Sequence, residues 1–367
     1  MNHLFRVLGA IRNKKKLVYV KAFVYGNLGD DLFIKVLTDH YKDYQFLLVG
    51  SKEFEMYYSI DNLLYLSYDR FYYKILNVIS RLINRSDFIS YMQKLSKANV
   101  YITGSDFIEK DNWNEGRLVD NFWNKKLFVL GINFGPFRTK EFLDYYRNLF
   151  SKTSNVCVRD KVSLEYFKDL PIVHYAPDVV FNLKYKSVKN PNDVVLISVI
   201  DPTKDNLINV KVKDQYINGL AKIINKLIDS KLKIKLVSFC EKQKDAEIAK
   251  IISERCNKSE SVEIIRYLGN CDAIIDEFYN AKVIIATRYH AMVLGMLFDK
   301  IMIPVCYDNK MNNVLNDLNY TGNIFNIDDI ESFADQIVNL VKNKVKGNFN
   351  FTESPIKQFE ALDEYLD

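Results

Sequence analysis

The 367-residue chain is poor in residues that interrupt folded structure: it has seven prolines and thirteen glycines. That excludes collagen-like and linker-dominated chains. Its five cysteines, Cys157, Cys240, Cys256, Cys271 and Cys306, lie far apart and form no CxxC pair. An odd, scattered set excludes a disulfide framework and a structural zinc site, and reads as free thiols in a reducing compartment. Charge of one sign is lacking too. The 51 basic and 46 acidic residues leave a net +5, too small and dispersed for the basic stripe that nucleic-acid binding needs. Long hydrophobic runs are missing as well. The most apolar region, Val283 to Tyr307, is interrupted by Arg288, His290, Asp299 and Lys300, so it reads as buried core around a polar site rather than a membrane span. The segment Met1 to Lys16 places Arg12, Lys14, Lys15 and Lys16 after its apolar patch, the reverse of a secretory signal. It reads as a solvated leader, with a peripheral membrane contact through those cations as the alternative. A cytoplasmic location, including the inner face of the membrane, is the expectation.

What remains is ordinary globular composition, 48% hydrophobic and 26% charged, and a length that sets two domains at about 150 residues each. Short apolar runs alternate with longer amphipathic stretches. Leu17–Tyr25, Phe46–Val49, Val100–Thr103, Leu127–Ile132, Val156–Arg159 and Ile172–Tyr175 suit parallel strands covered on both faces. Helices are predicted at Asp30–Tyr41 and Ser163–Lys168. A polar, lysine-rich break from Asn182 to Asp193, with Asn190, Pro191 and Asn192 as turn formers, interrupts the series. It restarts with strands at Val194–Val199, Lys233–Phe239, Glu263–Tyr267, Lys282–Ala286 and Ile301–Pro304, and helices at Gln215–Leu227, Asp245–Arg255, Ala273–Asn280 and Ala291–Leu297. The expected fold is therefore α/β: two Rossmann-like domains with parallel sheets facing across a cleft, residues 1–185 and 186–350, with a helical stretch in 351–367 packing back across the hinge.

In open parallel sheets ligands gather where strands give way to helices. Among the four histidines (His3, His40, His174 and His290), only His290 stands at such a junction, with Arg288 on the same turn. A buried histidine and a paired arginine are the structural reading. The functional reading is an anion site at the amino end of a helix, flanked by a fixed cation and a titratable ring. Lys310, in Tyr307-Asp308-Asn309-Lys310, follows the next strand and falls at the same rim. In the first half, Gly26-Asn27-Leu28-Gly29-Asp30-Asp31 joins strand to helix. Its glycines permit a tight turn, Asp30 is a candidate N-cap, and its two aspartates favour contact with neutral hydroxyl groups over phosphate. It is neither a dinucleotide fingerprint nor a P-loop. Gly131 and Gly135-Pro136 mark a second strand exit. Arg159, at a third, could reach the cleft or pair with Asp160 or Glu165, and Asp178 closes a fourth. No HExxH, strand-end Asp-x-Asp with a partner histidine, or GxSxG occurs, so neither a metal site nor a serine hydrolase is expected.

Taken in order, Gly26-Asn27-Leu28-Gly29-Asp30-Asp31, Gly135-Pro136, Arg159-Asp160-Lys161-Val162-Ser163, Ala176-Pro177-Asp178, Arg288-Tyr289-His290-Ala291 and Tyr307-Asp308-Asn309-Lys310 resemble the polysaccharide pyruvyl transferase family. Thr103-Gly104-Ser105-Asp106 departs from the glycine run common at that position, which bears on the acceptor more than the donor. The resemblance implies a GT-B-like fold and phosphoenolpyruvate as co-substrate, with no further cofactor. The product it implies is a pyruvate ketal on a saccharide or lipid-linked saccharide. It puts the donor on the second domain and the acceptor on the first. The donor's carboxylate and phosphate call for convergent cations. The expectation is therefore His290 as acid, with Arg288, Arg159, Tyr289, Ala291 and Lys310 around the donor. Gly26, Asn27, Gly29, Asp30, Gly135 and Asp178 are expected on the acceptor side. Two alternatives stand beside it: a GT-B glycosyltransferase using a nucleotide sugar, and a catalytically silent glycan-binding relative. The aromatic segment Tyr57 to Tyr91, with Trp113 and Trp123, reads either as a sugar-stacking wall or as core packing.

Overall fold

The computed structural model describes residues 9, 12–104, 107–110, 113, 122–185, 193–203 and 210–367. Most of the leader with His3, the pair Ser105-Asp106, and the Asn190-Pro191-Asn192 turn lie outside the described residues. The chain divides into two compact units, Met1–Val24 with Phe33–Lys184 and Glu353–Asp367, and Tyr25–Leu32 with Tyr185–Thr352. Each is a parallel-sheet α/β domain.

The first unit is built on β1 (Leu17–Ala22), β2 (Gln45–Gly50), β3 (Leu63–Ser67), β4 (Ala98–Ile102), β5 (Leu127–Ile132), β6 (Asn155–Val158) and β7 (Val173–Tyr175). All pair in parallel, in the order β3-β2-β1-β4-β5-β6-β7. Every residue of β3, β4, β5 and β6 is buried, as runs of Val, Ile, Leu and Phe between helical layers require. The helices are α1 (Leu28–His40), whose first residues to Leu32 cluster with the second unit, α2 (Phe71–Asn84), α3 (Phe88–Leu95), α4 (Lys140–Phe150) and the short α5 (Lys161–Glu165). Strand β3 was not expected. Its residues sit inside the aromatic segment, whose side chains mask the alternation. Tyr58 and Tyr65 stack there at 5.2 Å, and Tyr73 is buried. Trp113 packs on Phe142, and buried Trp123 on Phe150. These rings are core, whereas Tyr68 and Phe71 are exposed.

The second unit comprises β8 (Val194–Val199), β9 (Lys233–Ser238), β10 (Val262–Arg266), β11 (Val283–Ala286), β12 (Ile301–Cys306) and β13 (Phe325–Asn326), ordered β10-β9-β8-β11-β12-β13. Its helices are α6 (Val210–Ile228), α7 (Asp245–Glu254), α8 (Cys271–Asn280), α9 (Tyr289–Leu297), α10 (Asn309–Asp317) and α11 (Ala334–Lys342). Helix α9 is buried from Tyr289 through Met296, which explains why its sequence is apolar all round. The last helix, α12 (Glu360–Leu366), clusters with the first unit. Just before it, Gln358 donates to Ala176 O and Pro177 O and accepts from Gly131 N, while Phe359 stacks on His40 at 4.4 Å. Among the described residues no helix is long and apolar enough to cross a membrane.

The segment Tyr25–Leu32 follows β1 in sequence but clusters with the second unit. Asn27 forms an isolated antiparallel bridge with Cys240, and Leu28 N donates to Phe239 O at 3.0 Å. A loop assigned by sequence order to the N-terminal domain is thus docked at the exit of β9.

Candidate active site

The second-unit site is assembled from the ends of β8, β9, β10 and β11. Ser198, at the end of β8, uses its hydroxyl to accept from Thr287 N (2.9 Å) and Arg288 N (3.1 Å). Thr287 Oγ1 returns a bond to Ser198 O. This pins the turn that leads into α9, with Arg288 as its extended N-cap residue. The helix begins at Tyr289, two residues earlier than the sequence pattern suggests, so His290 lies in its first turn and is largely buried. The Tyr289 ring stands edge-on to it at 5.0 Å.

Against the imidazole lies Gly29. A methyl group there would overlap His290 Nδ1 and approach Cε1 to 2.9 Å, so the ring needs a residue without a side chain at this position. Gly26, at φ 65°, supplies the turn, a conformation that glycine adopts at least cost. Asn27 then caps α1: its Oδ1 accepts from Gly29 N at 2.9 Å. Asp30 is not the cap; it sits half-buried inside the first turn. The buried partner is instead Asp31, which accepts from the hydroxyl of fully buried Tyr267 at 2.7 Å. Burial, reinforced by the Asp31 carboxylate, raises the Tyr267 pKa far above its ordinary value, so this phenol stays a donor.

Arg288 does not face the site as an unpaired cation. Nη1 donates to Gln243 Oε1 at 2.7 Å, Nη2 is ion-paired with Asp245, and Nε reaches Val199 O at 3.4 Å. Burial opposes its charge, but Asp245 overrides this and lifts its pKa above the usual value. Asp245 is itself fully buried and accepts from Phe239 N and Cys240 N, each at 3.0 Å. Gln243 Oε1 also accepts from Asn27 Nδ2 at 3.4 Å. One chain of contacts therefore runs from the glycine loop through Gln243 and Arg288 to Asp245. Cys240, beside it, has its pKa pushed up to about 11 by burial and remains a neutral thiol at neutral pH.

The other expected donor ligands behave differently. Ala291 is fully buried and its N–H is taken by Arg288 O at 3.1 Å, so it offers neither surface nor donor. Lys310, at the start of α10, is ion-paired with Asp308 at 3.0 Å and lies over the Tyr307 ring. Arg159 belongs to the first unit and is buried. It donates to Asn133 Oδ1 (2.6 Å), Asp178 Oδ2 (2.7 Å) and Gly104 O (2.9 Å). Asp178 also caps the following turn through Val180 N, and Asp160 caps α5 through Ser163. Gly135, at φ 93°, forms the turn beside them, its N–H donating to Phe107 O at 2.7 Å. Arg159 and Asp178 thus form a buried ion pair that ties the ends of β5, β6 and β7 together, within the first unit.

The family model for polysaccharide pyruvyl transferase matches residues 27–309. The chain belongs to that family. A curated relative within polysaccharide biosynthesis is the amylovoran biosynthesis protein AmsJ of Erwinia amylovora, 20% identical over 264 residues. The match covers 66% of this chain and 63% of AmsJ, so it spans less than two thirds of that relative. Among solved structures, HepE of Anabaena in complex with UDP and glucose is similar at 12% identity and TM-score 0.53, over 96% of this chain and 99% of that one. A glycosyltransferase from Rickettsia africae gives 14% identity and TM-score 0.53 over 97% and 99%. The UDP-GlcNAc 2-epimerase of Methanocaldococcus jannaschii gives 13% and 0.54 over 95% and 99%. These likenesses show the fold alone: two parallel-sheet α/β domains of the GT-B type.

In this pyruvyl transferase family member, three residues of the site carry no mark in the sequence analysis: Gln243, Asp245 and Tyr267. Asp245 and Tyr267 sit at strand exits, so the junction filter that selects His290 could have found them. The pairing of Gln243 with both Asn27 and Arg288 depends on the docking of a distant loop and has no local signature.

Proposed function

We propose that the protein transfers a pyruvyl group from phosphoenolpyruvate to a sugar of a surface polysaccharide or its lipid-linked precursor, forming a pyruvate ketal. The observation that carries this reading is the seating of His290 against Gly29. It joins two ordered motifs of the family within a single unit. In the proposed course His290 protonates the donor's methylene carbon, making C2 electrophilic, and one sugar hydroxyl adds there. Its proton returns to the imidazole. A second hydroxyl then forms the other C2–O bond as the C–O bond to phosphate breaks, and its proton leaves with the phosphate. A bound trianion favours the imidazolium, offsetting the helix dipole that opposes it. Arg288 acts by position: held by Asp245 and Gln243, it fixes both the amino end of α9 and the loop that backs the ring.

Mass spectrometry of candidate glycans incubated with phosphoenolpyruvate tests the reaction. The expected result is an acceptor carrying one added pyruvyl mass, with release of one phosphate. A melting temperature raised by a nucleotide sugar and not by phosphoenolpyruvate would overturn the reading in favour of glycosyl transfer. The role of Gly29 has its own test. Gly29→Ala has to displace the imidazole, and a misplacement of this kind costs about 10²-fold in kcat with little change in the thermal transition. Unchanged kcat would show that the ring does not work from the position it occupies.

A further inference from the structure

Helix α2 of the first unit presents an apolar stripe to solvent. Phe71, Ile75, Val78, Ile79, Leu82 and Ile83 are all exposed, with Phe71, Leu82 and Ile83 at 77, 78 and 74%. Their spacing places them on one side of the helix, opposite Tyr73 and Ser80, which are buried. An apolar stripe of this kind on a protein surface marks an interaction site. Lys74, Arg81 and Arg85 recur along one flank of it. No acidic residue occurs between Arg70 and Ser86. Where α2 gives way to α3, Arg81, Arg85 and Lys94 line a hollow together with Ser86, Asp87 and Ser90. The Asp87 carboxylate there is committed to capping α3 through Ser90 N and Oγ. Among the described residues, Lys74, Arg81, Arg85 and Lys94 form no ion pair.

We propose that this face of α2 lies in the interface of an anionic lipid bilayer, the apolar stripe entering the headgroup–acyl boundary and the cationic flank meeting lipid phosphates. Charge decides between this occupant and a second copy of the chain. A two-fold contact would bring one acid-free cationic flank against another, whereas an anionic leaflet complements it. The inference is independent of the proposed donor and adds a surface distinct from the leader cations Arg12, Lys14, Lys15 and Lys16.

Vesicle flotation of the full chain tests it. With phosphatidylcholine vesicles containing phosphatidylglycerol, the protein is expected to float with the lipid, and with phosphatidylcholine alone to bind about tenfold less. Leu82→Glu with Ile83→Glu is expected to lower partition more than about tenfold. Arg81→Ser with Arg85→Ser is expected to lower it about tenfold and to remove most of its salt dependence. Because these side chains point to solvent, the thermal transition should not move. Absence of flotation with either lipid overturns the proposal. So does a dimer in sedimentation that Leu82→Glu with Ile83→Glu dissolves while lipid binding stays absent.

Discussion

His290→Ala is expected to reduce phosphate release from phosphoenolpyruvate about 10²–10⁴-fold, the range supplied by a positioned general acid. On the proposed course the loss should appear in kcat, because there the ring's proton is needed only as the reaction proceeds. The side chain packs on Gly29 and near Tyr289, so its removal also opens a small space, and a fall of a few degrees in Tm accompanies the loss. Near-normal turnover with intact thermal behaviour would remove the imidazole from the chemistry. A rise in donor KM alone would reduce it to a phosphate ligand.

Asp178→Ala is expected to be the most destabilising single change in the first unit. Arg159 is buried and ion-paired with the equally buried Asp178 carboxylate. It also donates to Asn133 Oδ1 and Gly104 O, both neutral acceptors, and lies over the Phe33 ring. Removing one partner of a buried ion pair costs about 3–5 kcal/mol, and the turn at Val180 loses its cap as well. Urea denaturation should show the loss directly. Replacing both partners, Arg159→Met with Asp178→Leu, should recover most of it, since an apolar pair of similar volume avoids the desolvation of both charges. A single-variant cost below about 1 kcal/mol would mean that water reaches the pair.

Much of the architecture was legible because parallel strands write themselves as short apolar runs. Leu127–Ile132 and Val194–Val199 were bounded to the residue. Strand β3 was hidden because aromatic crowding around Leu63–Ser67 erased its contrast with the helix that follows. His290 and Gly29 could be singled out separately, since each sits at a strand exit. Their meeting could not, because it depends on Tyr25–Leu32 joining the unit that does not contain β1. The arginines show the same limit from the other side. Arg288 and Arg159 look alike in sequence, as cations at strand ends, yet Asp245 and Asp178 engage each of them through residues whose proximity only the fold creates.

That displaced loop also bears on how such enzymes can be recombined. A chimera joined near residue 185 would graft one homologue's carboxy-terminal half onto another's glycine turn, and the histidine would then rest against a foreign backbone. Swapping specificity without losing turnover would require residues 25–32 to travel with the carboxy-terminal half, as a separately transplanted cassette.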